Sequence, residues 1–327
     1  MAAPGSVAQY AKLIDPAVHK YFTDHYAQLE PKLDAVMAVE DHKDYNTQES
    51  VYTGLGQLTS VAEGGTIPAD APIQGYSTTY TPAGYKGVES ITMETKLYER
   101  DNLVEKAPKM LATAAARTTE TQASSIFNNG FSTSYTSYGD AKPLFSTGHL
   151  RADGGSSWSN ASATGAALTD DNLEVGIIAL TEMLDDRGQP IYLTADTIVV
   201  PMALKKEALV ITKSERRSGT NDNDVNVHNG SMEMYKGLVI PNIVCWNYLG
   251  SYLGGSDTAW FLQDSKFVQD GNSVKWKWKQ KAKIERDDSP GFLNDMIYYK
   301  VTQHASYGWS NPRGNWGSKG DGAAYSN

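Results

Sequence analysis

The sequence predicts an α+β fold with antiparallel strands. Amphipathic stripes at spacings of three and four residues recur through the first two thirds of the chain. The last third alternates with a period of two, as strands do. No internal repeat and no low-complexity linker divides the 327 residues into autonomous halves.

Asp15 and Pro16 open the first helix as cap and first-turn proline. Val18, Phe22, Tyr26, Leu29, Leu33 and Val36 form its apolar stripe, and Pro31 is expected to bend or break it. From Val51 to Leu97 the chain reads as a long β-hairpin rich in Thr, Tyr and Gly, interrupted at Gly64-Gly65 and from Pro68 to Pro72. In its returning half Ile91, Met93 and Leu97 fall on one face, and Thr92, Glu94 and Lys96 on the other. Two strands of about 20 residues would reach about 60 Å. An isolated ribbon of this kind is marginal in water, so its burial must come from elsewhere. A second copy of the chain is the nearest source.

Asn102 to Glu105 is a capping-box pattern opening a second helix, expected to run to Asn129 with Gly130 as a left-handed stop. Ala112, Ala114, Ala115 and Ala116 favour the helix, and Pro108 is expected to kink it. At about 40 Å with a thin apolar seam of Met110, Leu111, Ala114 and Ala115, it suits a strut across a sheet. Residues 131–166 read as loop. Thr169 caps a third helix with Leu173, Ile177, Leu180 and Leu184 in its stripe and Gly188 at its end. A strand from Thr197 to Val200, a helix led by Pro201 to Ile211 and a polar loop from Ser214 to Asn226 follow. Strands are expected at Leu238–Trp246, Trp260–Leu262, Ser273–Ile284 and Asp295–Ser306.

Hydrophobic residues make up 40% and charged residues 20%, as in ordinary globular proteins. A net charge of −9 excludes bulk attraction to nucleic acid or anionic membrane. The single cysteine, Cys245, sits in an apolar strand and reads as a packed thiol; with no disulfide framework, folding in a reducing cytoplasm fits. The N-terminus has neither the basic nor the apolar region of a signal peptide, and no apolar run approaches the ~20 residues of a membrane span.

The chain carries no recognisable catalytic motif: no glycine-rich nucleotide loop, HExxH, GxSxG or CxxC. Its six histidines are scattered and read as structural. Asp222, Asp224, Asn226 and Glu233 match ligand positions of a calcium loop, but Val227 stands where the sharp turn needs glycine. The doublets Asp170-Asp171 and Asp185-Asp186, at the two ends of one expected helix, do not look like a catalytic dyad. We therefore expect no catalytic, cofactor-binding or metal residues, no cofactor, and a protein that is not an enzyme. The oddest chemistry is a basic strand. Lys275, Lys277, Lys279, Lys281 and Lys283 alternate with Trp276, Trp278, Ala282 and Ile284. Three readings stand: a strand face guarded against edge pairing, a partner for acids on a neighbouring subunit, or a surface facing nucleic acid without sequence preference.

Several runs, in order, resemble the major head subunits of phage Mu-like particles. They are Lys142-Pro143-Leu144-Phe145-Ser146-Thr147-Gly148-His149, Leu168-Thr169 through Met183 to Pro190, Ile198-Val199-Val200-Pro201 with Leu204, and Asn223-Asp224-Val225-Asn226. Trp260-Phe261-Leu262 and Gly308-Trp309 with Pro312-Arg313-Gly314 complete the pattern, which spans roughly residues 45 to 320. The resemblance implies a tailed-phage major capsid fold of the Hong Kong 97 type. Residues 1–49 would be the N-terminal arm and 50–100 the extended loop. Residues 101–164 and 256–294 would form the peripheral domain with its spine helix at 102–129, and 165–255 with 295–327 the axial domain.

It further implies a shell protein that self-assembles into hexamers and pentamers around double-stranded DNA, found in the virion and assembled in the host cytoplasm, with no membrane. A separate scaffolding protein, a portal and a cement or decoration protein would be partners. Candidate inter-subunit contacts are Tyr76, Tyr80, Tyr85, Lys86, Glu89 and Glu94 on the ribbon, with Lys275, Lys277, Lys279 and Lys281. The type member joins subunits by a Lys–Asn isopeptide bond; Lys86 lies in the ribbon, but no motif assigns it that role. The alternatives are an encapsulin-like cellular shell holding cargo enzymes, and a soluble enzyme with an unrecognised site.

Overall fold

A computed structural model describes residues 19–29, 31–92, 94, 98, 103–215, 226, 228, 240–287, 295–325 and 327. Their strands are β1 (Ala38–Asp41), β2 (Thr47–Thr53), β3 (Ile73–Tyr80), β4 (Ala83–Thr92), β5 (Thr197–Val200), β6 (Asn242–Cys245), β7 (Trp260–Gln263), β8 (Val274–Asp287), β9 (Met296–Trp309) and β10 (Asn315–Ser318). They form a first sheet of order β1-β8-β9-β4, a second of order β10-β7-β5-β6, and the two-stranded ribbon β2-β3. The pairs β1-β8 and β5-β6 are parallel, contrary to the antiparallel expectation.

The ribbon departs most from the sequence reading. Its halves do not pair along their length. β2 pairs with β3, with a bulge after Ser50, while the returning half β4 pairs with β9 from Ala83 opposite Ala305 to Thr92 opposite Met296. Alternate residues Tyr85, Gly87, Glu89 and Ile91 are the more buried ones of β4. Ile91 shares a core with Leu111, Ala115 and Val301. That apolar burial inside the subunit outweighs pairing within a ribbon exposed on both faces. Met93 and Leu97 lie outside the described residues.

The long helix Leu103–Asn128 contains Pro108 and crosses the first sheet on its alanine seam, Ala112 and Ala115. Its C-terminal turns place Ala123, Ile126 and Phe127 in an aromatic core with Phe145, Phe261 and Trp246. Gly130 is not a left-handed stop; a Cβ there would lie 2.7 Å from the Phe145 ring, so close packing is what demands glycine. The capping residue Asn102 lies outside the described residues.

β5, β7 and β10 of the second sheet are buried on both faces, which explains the unbroken apolar runs of β5 and β7; edge strand β6 is only partly buried. Ile198, Val200, Trp260 and Leu262 pack under helices Asp170–Thr181 and Lys205–Lys213, and Val199 and Phe261 join the aromatic core. Thr169 caps the first of these helices through Asn172 N–H (3.3 Å), as expected. The helix ends at Thr181 rather than Gly188, leaving Leu184 outside it and exposed. The Asp185 carboxylate takes the Arg187 and Gln189 N–H groups, drawing this backbone into a turn.

Pro31 separates a helix at 19–28 from a short one at Leu33–Val36. Leu33, Val36 and Met37 are buried in the main core and β1 pairs with β8, so this part of the expected arm belongs to its own subunit. β7 belongs to the second sheet and β9 to the first, because hydrogen-bond register, invisible in the sequence, decides membership.

Candidate functional site

Among the described residues, three arrangements each bring charged side chains from distant parts of the chain together. The first holds the loop 54–72 between β2 and β3. Leu55, Leu58 and Ile67 are exposed there, Leu58 at 96%. At the loop's base, Asp70 receives two hydrogen bonds from Arg187 (2.8 and 2.5 Å) and one from Gly56 N–H (2.7 Å), and Arg187 also donates to Gly54 O at 3.1 Å. The guanidinium beside Asp70 holds its carboxyl well below the usual range. The loop is pinned at its root while its apolar tip is bare.

The second arrangement anchors the ribbon to the first sheet. Parallel pairing sets Glu40 of β1 beside Lys277 of β8. Lys275 Nζ lies 2.6 Å from Glu49 and 3.4 Å from Glu40; Lys277 Nζ lies 2.8 Å from Glu40 and also pairs with Glu49. The two lysine side chains are 8% and 4% exposed. Burial pushes Glu49 up, but hydrogen bonds and charge from Lys275 and Lys277 outweigh it and leave the carboxyl below its usual range. Lys277 also stands over the Tyr80 ring at 4.8 Å. His42 joins the cluster from the β1–β2 turn, bonded to Ser306 Oγ (3.0 Å) and Thr47 Oγ1 (3.3 Å). Burial, then Lys277 and Lys279, lower its pKa.

Several predicted contacts therefore move. Tyr80, Lys275 and Lys277 are buried within their own subunit, the two lysines against Glu40 and Glu49 and the Tyr80 ring under Lys277. Bulges between Trp278 and Lys283 also break the five-lysine face. Tyr76 is half-buried, edge-on to Tyr138 at 5.3 Å. Tyr85 and Glu89 are half-buried, each with its pKa pushed up by burial. Lys86, Glu94, Lys279 and Lys281 are exposed; Lys279 donates to Lys43 O at 2.5 Å.

The third arrangement joins the motif runs of the sequence. His149 Nδ1 meets Asp140 at 2.6 Å, and its ring stacks on Trp158 at 4.6 Å. Arg313 stands over the same indole at 4.4 Å and pairs with Asp186 at 2.9 Å. The His149–Asp140 and Arg313–Asp186 contacts are almost wholly buried. The ribbon touches this ladder where Gly75 passes Asp186, since a Cβ on Gly75 would lie 3.1 Å from the carboxylate. Asp140, Asp186 and Arg313 escaped the sequence reading as a unit, although His149, Asp186 and Arg313 stand in three of its quoted runs. Glu40 and Glu49 left no signal, since nothing in a short strand announces which distant side chains it will face.

A cleft of about 740 Å³ opens between the N-terminal helix and the long helix. Glu120 lines it, accepting from Lys32 N–H (3.0 Å) and Trp246 Nε1–H (2.5 Å), with its pKa raised by burial. Cys245 also lines it, its thiol pushed up by burial, the opposite of an activated nucleophile. Asn226 is the sole member of the calcium-like pattern among the described residues. Among those residues no cluster of His, Cys, Asp or Glu is placed to hold a metal ion, and no helix is long and apolar enough to cross a membrane.

The profile of the family described as phage capsid protein matches residues 75–316. Solved structures similar to the chain include the capsid of Myoviridae phage XM1, with 14% identity, 86% of this chain and 88% of that one covered, and a TM-score of 0.50. The capsid of a native GTA particle is similar at 13% identity, 90% of each chain and a TM-score of 0.51. That of cyanophage P-SCSP1u is similar at 13% identity, 86% and 85%, and a TM-score of 0.53. At these identities the structures establish the fold, which is the Hong Kong 97 type. No curated protein sequence matches.

Proposed function

The chain belongs to the phage capsid protein family, and we propose that it closes into hexamers and pentamers that build an icosahedral shell around double-stranded DNA. It is a major capsid protein, a structural component of the virion shell. The observation that carries the proposed mode of assembly is the loop 54–72, anchored through Asp70 and Arg187 yet exposing Leu55, Leu58 and Ile67. Such a tip is covered when it lies on an adjacent subunit, and symmetry repeats the contact around each ring. Lys86, Glu94, Lys279 and Lys281 are the exposed charged candidates for further contacts, with Tyr76, Tyr85 and Glu89 at the ribbon's half-buried side. In this reading a separate scaffolding protein, a portal and a decoration protein are partners, assembly takes place in the host cytoplasm, and the protein is not an enzyme.

The encapsulin-like alternative has no support in the comparisons. Negative-stain microscopy of the purified protein, alone and with its scaffold, tests the assembly reading. Closed shells are expected. A monomer under every condition sinks it.

A further inference from the structure

Two helices of the second-sheet domain carry matching exposed stripes of opposite charge. On helix Asp170–Thr181, Leu173, Ile177 and Leu180 face the sheet. The opposite side exposes Asp171, Val175, Ile178 and Glu182, at i, i+4, i+7 and i+11, with Glu174 alongside. Val175 is 60% exposed. On the segment Met202–Lys213, Ala208 and Thr212 are buried. Its far side exposes Met202, Lys206, Leu209 and Lys213 at the same spacing, with Lys205, Val210 and one acid, Glu207, beside them; Lys213 also donates to Pro241 O at 2.8 Å. Leu209 is 41% exposed.

One stripe is apolar between acids and the other apolar between lysines. Each leaves its apolar centre exposed among the described residues. Both helices pack on the same face of one sheet, the acidic one over β10 and β7, the basic one over β5 and β6. Their stripes therefore point away from that sheet and do not cover each other.

We infer that the acidic stripe of one copy docks on the basic stripe of a second copy, Val175 and Ile178 against Leu209 and Val210, with Glu174 and Glu182 beside Lys205 and Lys206. Charge complementarity selects the pairing, since acid on acid or lysine on lysine would repel. The apolar centre supplies the burial and the charged rim the register. This contact deepens the capsid reading and rests on it: it is an interface between subunits within the shell, distinct from the contact of the ribbon's loop.

The test is a charge swap in the full chain. E174K/E182K reverses one stripe and K205E/K206E the other; all four side chains are exposed, and at Glu182, Lys205 and Lys206 the reversed charge suits the helix end, so the monomer should keep its circular dichroism and melting temperature. Each double variant should raise the protein concentration needed for assembly, read by light scattering, about tenfold or more, because a weak pairwise penalty repeats at every copy. The quadruple variant, which exchanges the two signs, should return to within about twofold of wild type. Wild type assembling while either double variant assembles at the same threshold overturns the inference, as does a quadruple variant no better than the doubles. Wild type that never assembles refutes instead the capsid reading beneath it.

Discussion

Glu49→Gln keeps the shape of its side chain and removes one of two acids from the buried cluster at the ribbon's root. Lys275 would lose its 2.6 Å partner and keep only Glu40 at 3.4 Å; Lys277 would keep Glu40 at 2.8 Å. Breaking a buried ion pair costs about 3–5 kcal/mol, because the surviving charge stays desolvated. Here Glu40 remains, and the Glu49 side chain is 23% exposed, so the lower end, about 3 kcal/mol, applies. Unfolding entropy of about 2.1 cal/mol/K per residue gives about 0.7 kcal/mol/K for a chain of this length, so the melting temperature should fall by about 4 °C.

Calorimetry of the unassembled protein measures that fall. Hydrogen exchange gives its location: amides of β2 and β3 should exchange faster, and those of the second sheet should not. Adding Lys275→Met to Glu49→Gln should recover most of the loss, since the orphaned charge is gone. A melting temperature within about 1 °C of wild type, with unchanged exchange in the ribbon, would refute the reasoning.

Acid should loosen the same root. His42 and Glu49 both have folded pKa values below their usual ones, so each contributes stability that is whole above its unfolded value and lost as pH falls through the folded one. Ribbon exchange should accelerate first below the ordinary imidazole range and again below the ordinary carboxylate range; His42→Gln should abolish the first step. Arg313→Met would leave Asp186 charged and buried, and should cost about 3–5 kcal/mol by urea unfolding, with Asp186→Asn in the same chain restoring most of it. Replacing residues 57–66 by a short Gly-Ser link should leave the monomer's melting temperature within about 1 °C, because all ten of those residues are exposed, yet microscopy should find no shells. A longer excision reaching Gly84 would cut into β4 and unfold the first sheet's edge.

Much of the fold was legible. The Thr169 cap, the break at Pro31 and the buried triplet Leu173, Ile177 and Leu180 follow from local rules of backbone hydrogen bonding and helical period. The end of the third helix was misread because periodicity continued to Leu184 while Asp185 captured the backbone donors beyond it. The lysine strand was half legible: its alternation was correct at Trp276 and Trp278, which enter the core. Its first two lysines face acids more than 220 residues away in the chain, Glu49 above all, and no local pattern encodes such a meeting.

By itself the sequence determined the α+β class, the major helices, the absence of recognisable catalytic motifs and, through its ordered motif runs, the capsid family. These depend on side-chain period, capping and composition, which act between near neighbours. The tertiary structure alone decided that β4 leaves the ribbon for β9, that β7 joins the second sheet and β9 the first, and that Lys275 and Lys277 close on Glu40 and Glu49. Register and ion pairing between distant segments are settled by competition for burial over the whole molecule, and a strand's own residues do not say which neighbour buries them best.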